Sequence, residues 1–201
     1  MLPVVHSHFT PTLRAVNWIA SYADLLYNQE VVDHLWTPWR MAYLCGEEKI
    51  PGGCIFCAKP QLEDAEAHLL YRGQLCYVII NRFPYNNGHL MVVPYAHVSS
   101  LEDLDADTLS EWMALTQLSL RVLREAYSPQ GFNVGLNIGG AAGAGVAEHV
   151  HLHIVPRWGG DTNYMTTLSQ TRVIPEWLDQ IYERLRPLFE RMSAQEATSD
   201  K

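Results

Sequence analysis

The chain has 201 residues, 48% of them hydrophobic, and a formal net charge of −8. That length and apolar content suit one domain with a sizeable core plus a modest extension. The acidic balance argues against long nucleic acid, whose binding rests on Lys and Arg neutralising phosphates, and no apolar run approaches a membrane span. A mononucleotide or dinucleotide in a locally basic pocket stays compatible with the charge. Four cysteines in a chain this long do not make a disulfide scaffold. Residues 1–6 lack the basic start and apolar core of a signal peptide, so a cytoplasmic protein is expected.

Residues 1–34 read as an N-terminal extension. After a loose start, Leu13, Val16, Ile19, Ala20, Leu25 and Leu26 recur near helical spacing, as in a packing or oligomer helix. Trp36, Pro38, Trp39 and Arg40 then form a short segment suited to packing on a core or stacking near a base. Pro51-Gly52-Gly53 closes a loop, and Cys54-Ile55-Phe56-Cys57 follows. That cysteine spacing is half of a zinc site, or else two buried thiols. Leu69–Tyr71 and Cys76–Ile80 read as strands joined at Arg72-Gly73-Gln74, and His89–Pro94 as a third. Leu104–Tyr127 has helical periodicity, with Asp105 or Asp107 as cap and an end at Ser128-Pro129-Gln130-Gly131. Phe132–Ile138 and His149–Pro156 are two more strands. Pro175–Met192 is a C-terminal helix with Pro175 in its first turn, and 193–201 a polar, flexible tail. Strands with segregated helices predict an α+β domain over 35–192, built on an antiparallel sheet.

His149-Val150-His151-Leu152-His153-Ile154-Val155 carries the chemistry. A period of two puts three imidazoles on one face of a strand and Val150, Leu152 and Ile154 on the other. Such a cluster can hold a metal, pass protons or attack phosphorus. The stretch before it, Gly135 to Gly145, is rich in Gly and Ala. A loop of this kind approaches a ligand closely and can turn successive N–H groups onto an anion. The combination favours phosphorus.

The His-φ-His-φ-His-φ-φ pattern resembles the signature of the histidine triad (HIT) family of nucleotide hydrolases and transferases. The resemblance runs from about Leu35 to Leu188. Leu35-Trp36-Thr37-Pro38-Trp39-Arg40, the run from Pro84 to Pro94, Gly131 to Asn137, and Ala147 to Asp161 are most similar to the family's bacterial diadenosine tetraphosphate phosphorylases. It implies a five-stranded antiparallel sheet with a long helix on one face. It implies a covalent AMP-histidine on His151, with His153 holding a phosphate oxygen or the leaving group and His89 as a fourth histidine. By the same resemblance Asn81 meets ribose and Asn137 the phosphates. A tautomer-setting carbonyl for His151 is expected in the Gly-rich region. Many members carry Gln or Ser where this chain has Gly145 and Val146, so amides of Ala144 to Val146, with Gly143, are the expected substitutes. Arg157, just past the triad, is the expected source of a positive field for phosphate. The resemblance also completes Cys54 and Cys57 with His97 and His149 as a structural Zn2+ site, and implies a homodimer or higher homo-oligomer. The expected reaction is diadenosine tetraphosphate plus phosphate giving ADP plus ATP, with no organic cofactor. The alternatives are a hydrolase using water and a nucleotide-binding signalling module with little turnover.

Overall fold

A computed structural model describes residues 53–162 and 175–199, so the expectations for 1–34 and Trp36–Arg40 lie outside the described residues. Two short helices, α1 (Ile55–Ala58) and α2 (Asp64–Ala67), lead into β1 (Leu69–Arg72) and β2 (Cys76–Ile80). Then come β3 (Leu90–Pro94), α3 (Ala106–Tyr127), β4 (Gly131–Leu136), β5 (Leu152–Arg157) and α4 (Leu178–Ser199). The strands form one sheet in the order β1-β2-β3-β5-β4, antiparallel at every neighbouring pair. The expected α+β class and five-stranded sheet are both present.

Alternation along the strands divides the interior into two layers. Val78, Ile80, Leu90, Val92, Leu152 and Ile154 face one way, against Trp112, Leu115, Leu118, Val122 and Leu123 of α3 and Ile181, Leu185 and Phe189 of α4. Both long helices therefore cover the same face. Tyr77, Ile79, Met91 and Val93 face the other way, under Phe56 of α1 and Ala67 of α2. Asp105 caps α3 by accepting from the Thr108 N–H at 2.7 Å, one of the two caps the sequence offered. Ser128 ends the helix at φ 46°, the left-handed turn that releases the chain into β4. The β1–β2 hairpin is closed from α3: the Glu111 carboxylate accepts from the N–H groups of Leu75 and Cys76, each at 3.1 Å.

Three boundaries differ from the sequence reading by three residues or more. β5 begins at Leu152, not His149, because the backbone before it leaves the ladder and Val150 N–H donates instead to Val98 C=O at 2.7 Å. The side-chain alternation survives, since Val150 is buried in the helix-side layer with Leu152 and Ile154. α4 starts at Leu178 rather than Pro175, and Gln180 Oε1 accepts from the Trp177 N–H at 3.0 Å. It runs on to Ser199, so 193–199 is helix and not a loose tail: a polar stretch free of Gly and Pro has nothing to stop a helix already under way. No described helix is long and apolar enough to cross a membrane.

Phe189 is fully buried between α4 and the sheet, with its ring near Tyr71 of β1. Phe189→Ala should cost about 3–5 kcal/mol of stability, read as a lower urea midpoint at unchanged m. A loss below about 1 kcal/mol would show that α4 is not part of this core.

Candidate active site

The three triad imidazoles lie on the sheet face opposite the long helices. His149 and His151 sit in the extended approach to β5, and His153 is within β5, opposite Met91 of β3 and Gly135 of β4. His89 stands just before β3 and is fully buried. Three of these rings form a chain, with centroids 4.8 Å apart for His151 and His153 and 5.1 Å apart for His153 and His89. Tyr85 covers the far end, 4.9 Å from His89 and 5.8 Å from His153.

Hydrogen bonds set the tautomer of each ring. His151 Nδ1–H donates to the His149 carbonyl at 2.8 Å, which leaves the lone pair on Nε2. The acceptor is thus two residues upstream, not in the Gly-rich stretch. Tyr85 N–H donates to His89 Nδ1 at 3.0 Å, so His89 carries its proton on Nε2 and gives it to His153 Nδ1 at 3.0 Å. His153 in turn carries its own proton on Nε2. The result is one imidazole with a nucleophilic nitrogen beside another with a donor. Burial supports this. It holds His151 below the ordinary imidazole value, although the bond to the His149 carbonyl pulls the other way. Burial, aided by the His153 and His151 rings, holds His89 well below it.

The triad opens onto a cleft whose walls include Ile55, Phe56, Ile79, Ile80 and Met91. His151 and His153 reach its lining, as do Asn81, Asn137, Gly143, Gly145 and Val146 of the expected ligands. Ala144 and Arg157 do not. Asn81 works locally as well: its Oδ1 accepts from Phe83 N–H at 2.9 Å, which turns its amide N–H₂ towards His89. The loop from Gly139 to Val146 turns through a 3-10 segment at Gly140–Ala142 between Gly139 (φ 80°) and Gly143 (φ 82°). Both conformations are open to glycine and strained for other residues.

Arg157 corrects an expectation. Its guanidinium holds Asp161 with both Nε (2.5 Å) and Nη2 (2.8 Å), and Nη1 donates to Asn133 Oδ1 at 2.6 Å. Asp161 also accepts from Asn86 Nδ2 at 3.0 Å and Trp158 N–H at 3.2 Å. The arginine's charge is therefore spent on a clasp that joins the end of β5 to the His89 turn. The cations that line the cleft are Lys59 and Arg82, which sequence reasoning passed over. Arg82 could have been noticed as the neighbour of Asn81, and Phe56 as the residue inside the Cys-x-x-Cys turn.

Cys54, Cys57, His97 and His149 converge beside the triad, their ligand atoms all within 4.8 Å of one another. His149 Nε2–H donates to Pro94 C=O at 2.9 Å, leaving Nδ1 as a lone pair. That nitrogen is 3.3 Å from Cys54 Sγ, 3.6 Å from Cys57 Sγ and 3.3 Å from His97 Nδ1, with Cys57 Sγ and His97 Nδ1 at 3.4 Å. A tetrahedral ion bonded at roughly 2.3 Å to sulfur and 2.0 Å to nitrogen would set its donors about 3.3–3.8 Å apart. Four of the six donor separations match such an ion, and four protein donors would fill a tetrahedral shell, the arrangement suited to holding structure.

The HIT domain profile matches residues 63–160, the region that holds His89 and the whole triad. An AP-4-A phosphorylase of Mycobacterium tuberculosis is 46% identical over 157 residues, 75% of this chain and 80% of that protein. The chain belongs to the HIT family. A bis(5'-nucleosyl)-tetraphosphatase of Schizosaccharomyces pombe is 32% identical over 95 residues, 47% of this chain and 52% of that protein. Among solved structures, a Zn-bound histidine triad protein of Mycobacterium smegmatis superposes with a TM-score of 0.56 at 28% identity, over 71% of this chain and 97% of the other.

The neutral imidazoles couple stability to pH. His89 and His151 have folded values below the unfolded value of about 6.5, so the unfolded chain binds more protons beneath that pH. Their contribution is complete above about pH 6.5 and is lost as pH falls towards the depressed folded values. Thermal midpoints should be flat from pH 8 to 7 and decline below 6.5. His89→Gln, which leaves the cysteine and histidine quartet intact, should make that decline shallower. An unchanged slope would remove His89 from the account.

Proposed function

We propose that this chain is a diadenosine tetraphosphate phosphorylase working through a covalent AMP-histidine. The observation that carries this reading is the bond from His151 Nδ1–H to the His149 carbonyl, which leaves Nε2 as the nucleophile in the cleft. His151 Nε2 attacks the α-phosphorus of a bound dinucleotide, and the bond to the bridging oxygen breaks. ATP leaves, with the His153 Nε2–H donating to the departing oxygen. Phosphate then attacks the same phosphorus, displacing His151 and releasing ADP. Splitting the transfer in two replaces one hard displacement with two easier ones. Asn81 serves the ribose, and Asn137 with the amides of Gly143, Gly145 and Val146 the phosphates. Lys59, on the cleft lining, supplies a local positive charge in an otherwise acidic chain. The extent of identity with the mycobacterial phosphorylase supports phosphate over water as acceptor.

We further infer that the quartet of Cys54, Cys57, His97 and His149 holds Zn2+. Two thiolates and two imidazoles at tetrahedral spacing suit that ion, and the reduced thiols suit a cytoplasmic location. Its part is structural: it ties the α1 turn to the triad approach through His149. A homo-oligomer is supported by β4, an edge strand with Val134 exposed, and by exposed Ile138 just after it.

Products distinguish the acceptors. With phosphate present, diadenosine tetraphosphate should yield ADP and ATP, and the rate should rise with phosphate. AMP and ATP at every phosphate concentration would make the enzyme a hydrolase with the same nucleophile. His151→Ala should abolish turnover and the acid-labile labelled adduct while leaving nucleotide affinity within about tenfold. Retention of one-tenth of the activity would refute the nucleophile assignment.

Elemental analysis of protein purified without chelator should find about one zinc per chain, lost in Cys54→Ser together with several degrees of thermal stability. Protein that is folded, active and metal-free would remove the zinc reading.

A further inference from the structure

Phe56 belongs at once to the metal turn and to the cleft. It stands between Cys54 and Cys57 in α1, is 6% exposed, and packs its ring on the histidine face. The ring centroid is 4.7 Å from that of His151, inclined at 46°, and 5.5 Å from that of His149, at 67°. Its carbonyl accepts a 2.7 Å hydrogen bond from the buried Tyr77 hydroxyl of β2.

α1 has four residues and no side-chain cap, so it is too short to fix its own geometry. What fixes it is external: the two thiols on either side of Phe56 and the Tyr77 hydroxyl on its carbonyl. His151, for its part, has one hydrogen bond among the described residues, through Nδ1. A single bond anchors one ring atom and leaves the plane of the ring to be set by packing. Phe56 lies against that plane.

We propose that Phe56 is a positioning residue that carries the order of the metal turn to the nucleophile, its ring holding the His151 imidazole so that Nε2 stays in line with phosphorus. The proposal rests on the reading of His151 as nucleophile, and it makes the cysteine turn part of the reaction geometry rather than only of the fold. A displacement of an ångström or less is enough to matter for in-line attack.

The test compares the wild type with Phe56→Leu, which keeps apolar bulk and removes the ring. Four quantities are read: bound metal, nucleotide affinity, the single-turnover rate of His151 adenylylation, and the chemical shifts of the His151 ring protons, which feel the aromatic ring current. Phe56→Leu should retain its metal and bind nucleotide within about threefold, yet adenylylate about tenfold more slowly, with the ring-current shift gone. Chelation of the wild type should move the rate and the His151 signals the same way. Chelation of Phe56→Leu should add less than about twofold, because the metal acts through the missing ring. Equal slowing by chelation in both backgrounds, or an unchanged rate in Phe56→Leu, overturns the proposal. Should the stripped chain unfold, Tyr77→Phe replaces it: metal and fold remain, and the His151 signals and rate shift part of the way. Wild-type signals and rate in Tyr77→Phe would equally overturn it. Absence of any adduct in the wild type would instead refute the nucleophile reading and leave the chemical shifts to decide the role of Phe56.

Discussion

The site hangs on His149, three of whose atoms are engaged at once. Its Nδ1 faces the two thiols and His97, its Nε2–H is held by Pro94 C=O at the end of β3, and its own carbonyl takes the His151 proton. Removing any of these loosens the others, because all three fix one residue in a stretch that has left the β ladder. The sheet cannot hold His149 and His151 by pairing there, so side-chain ligation and one carbonyl-to-imidazole bond do that work. The buried ring stays neutral because burial holds its pKa down.

The environment of His151 follows from the same economy of polar groups. The Nδ1 atoms of His151, His89 and His153 and the Nε2 atoms of His149 and His89 are each matched with a donor or an acceptor, while His151 Nε2 is left facing the cleft. The run from Tyr85 N–H through His89 to His153 settles which nitrogen bears each proton with no charged residue in the chain of bonds. Lys59 and Arg82 belong to the lining of the cleft, while the charge of Arg157 is neutralised by Asp161.

Much of this was legible in the sequence. Alternation at His149–Val155 placed the histidines on one face, because a period of two survives even where ladder bonds do not. The Cys-x-x-Cys spacing, with the family resemblance supplying His97 and His149, marked four residues that do converge. Two kinds of feature were hidden. α1 and α2 span a single turn each and leave no periodicity to read. Arg157 looked available because a sequence shows a charge but not its partner: Asp161, four residues on, claims it along with Asn133. Phe56 was hidden for a related reason, since a lone aromatic between two cysteines looks like filler until its neighbours are known.

The strand order has a kinetic consequence. Among the described residues β5 is the last strand, yet it lies between β3 and β4, and β4 pairs there with no other strand. As the polypeptide emerges, β1, β2 and β3 can form a meander by local pairing, while β4 waits with both edges open. Only when residues beyond about 157 are available can β5 dock on β3 and bring β4 in, closing a gap of nearly sixty residues. Long-range pairing of this kind is the slow part of folding. Catalytic competence and completion of the sheet are therefore the same event: a partly folded chain has no half-built triad with which to bind or cleave a nucleotide.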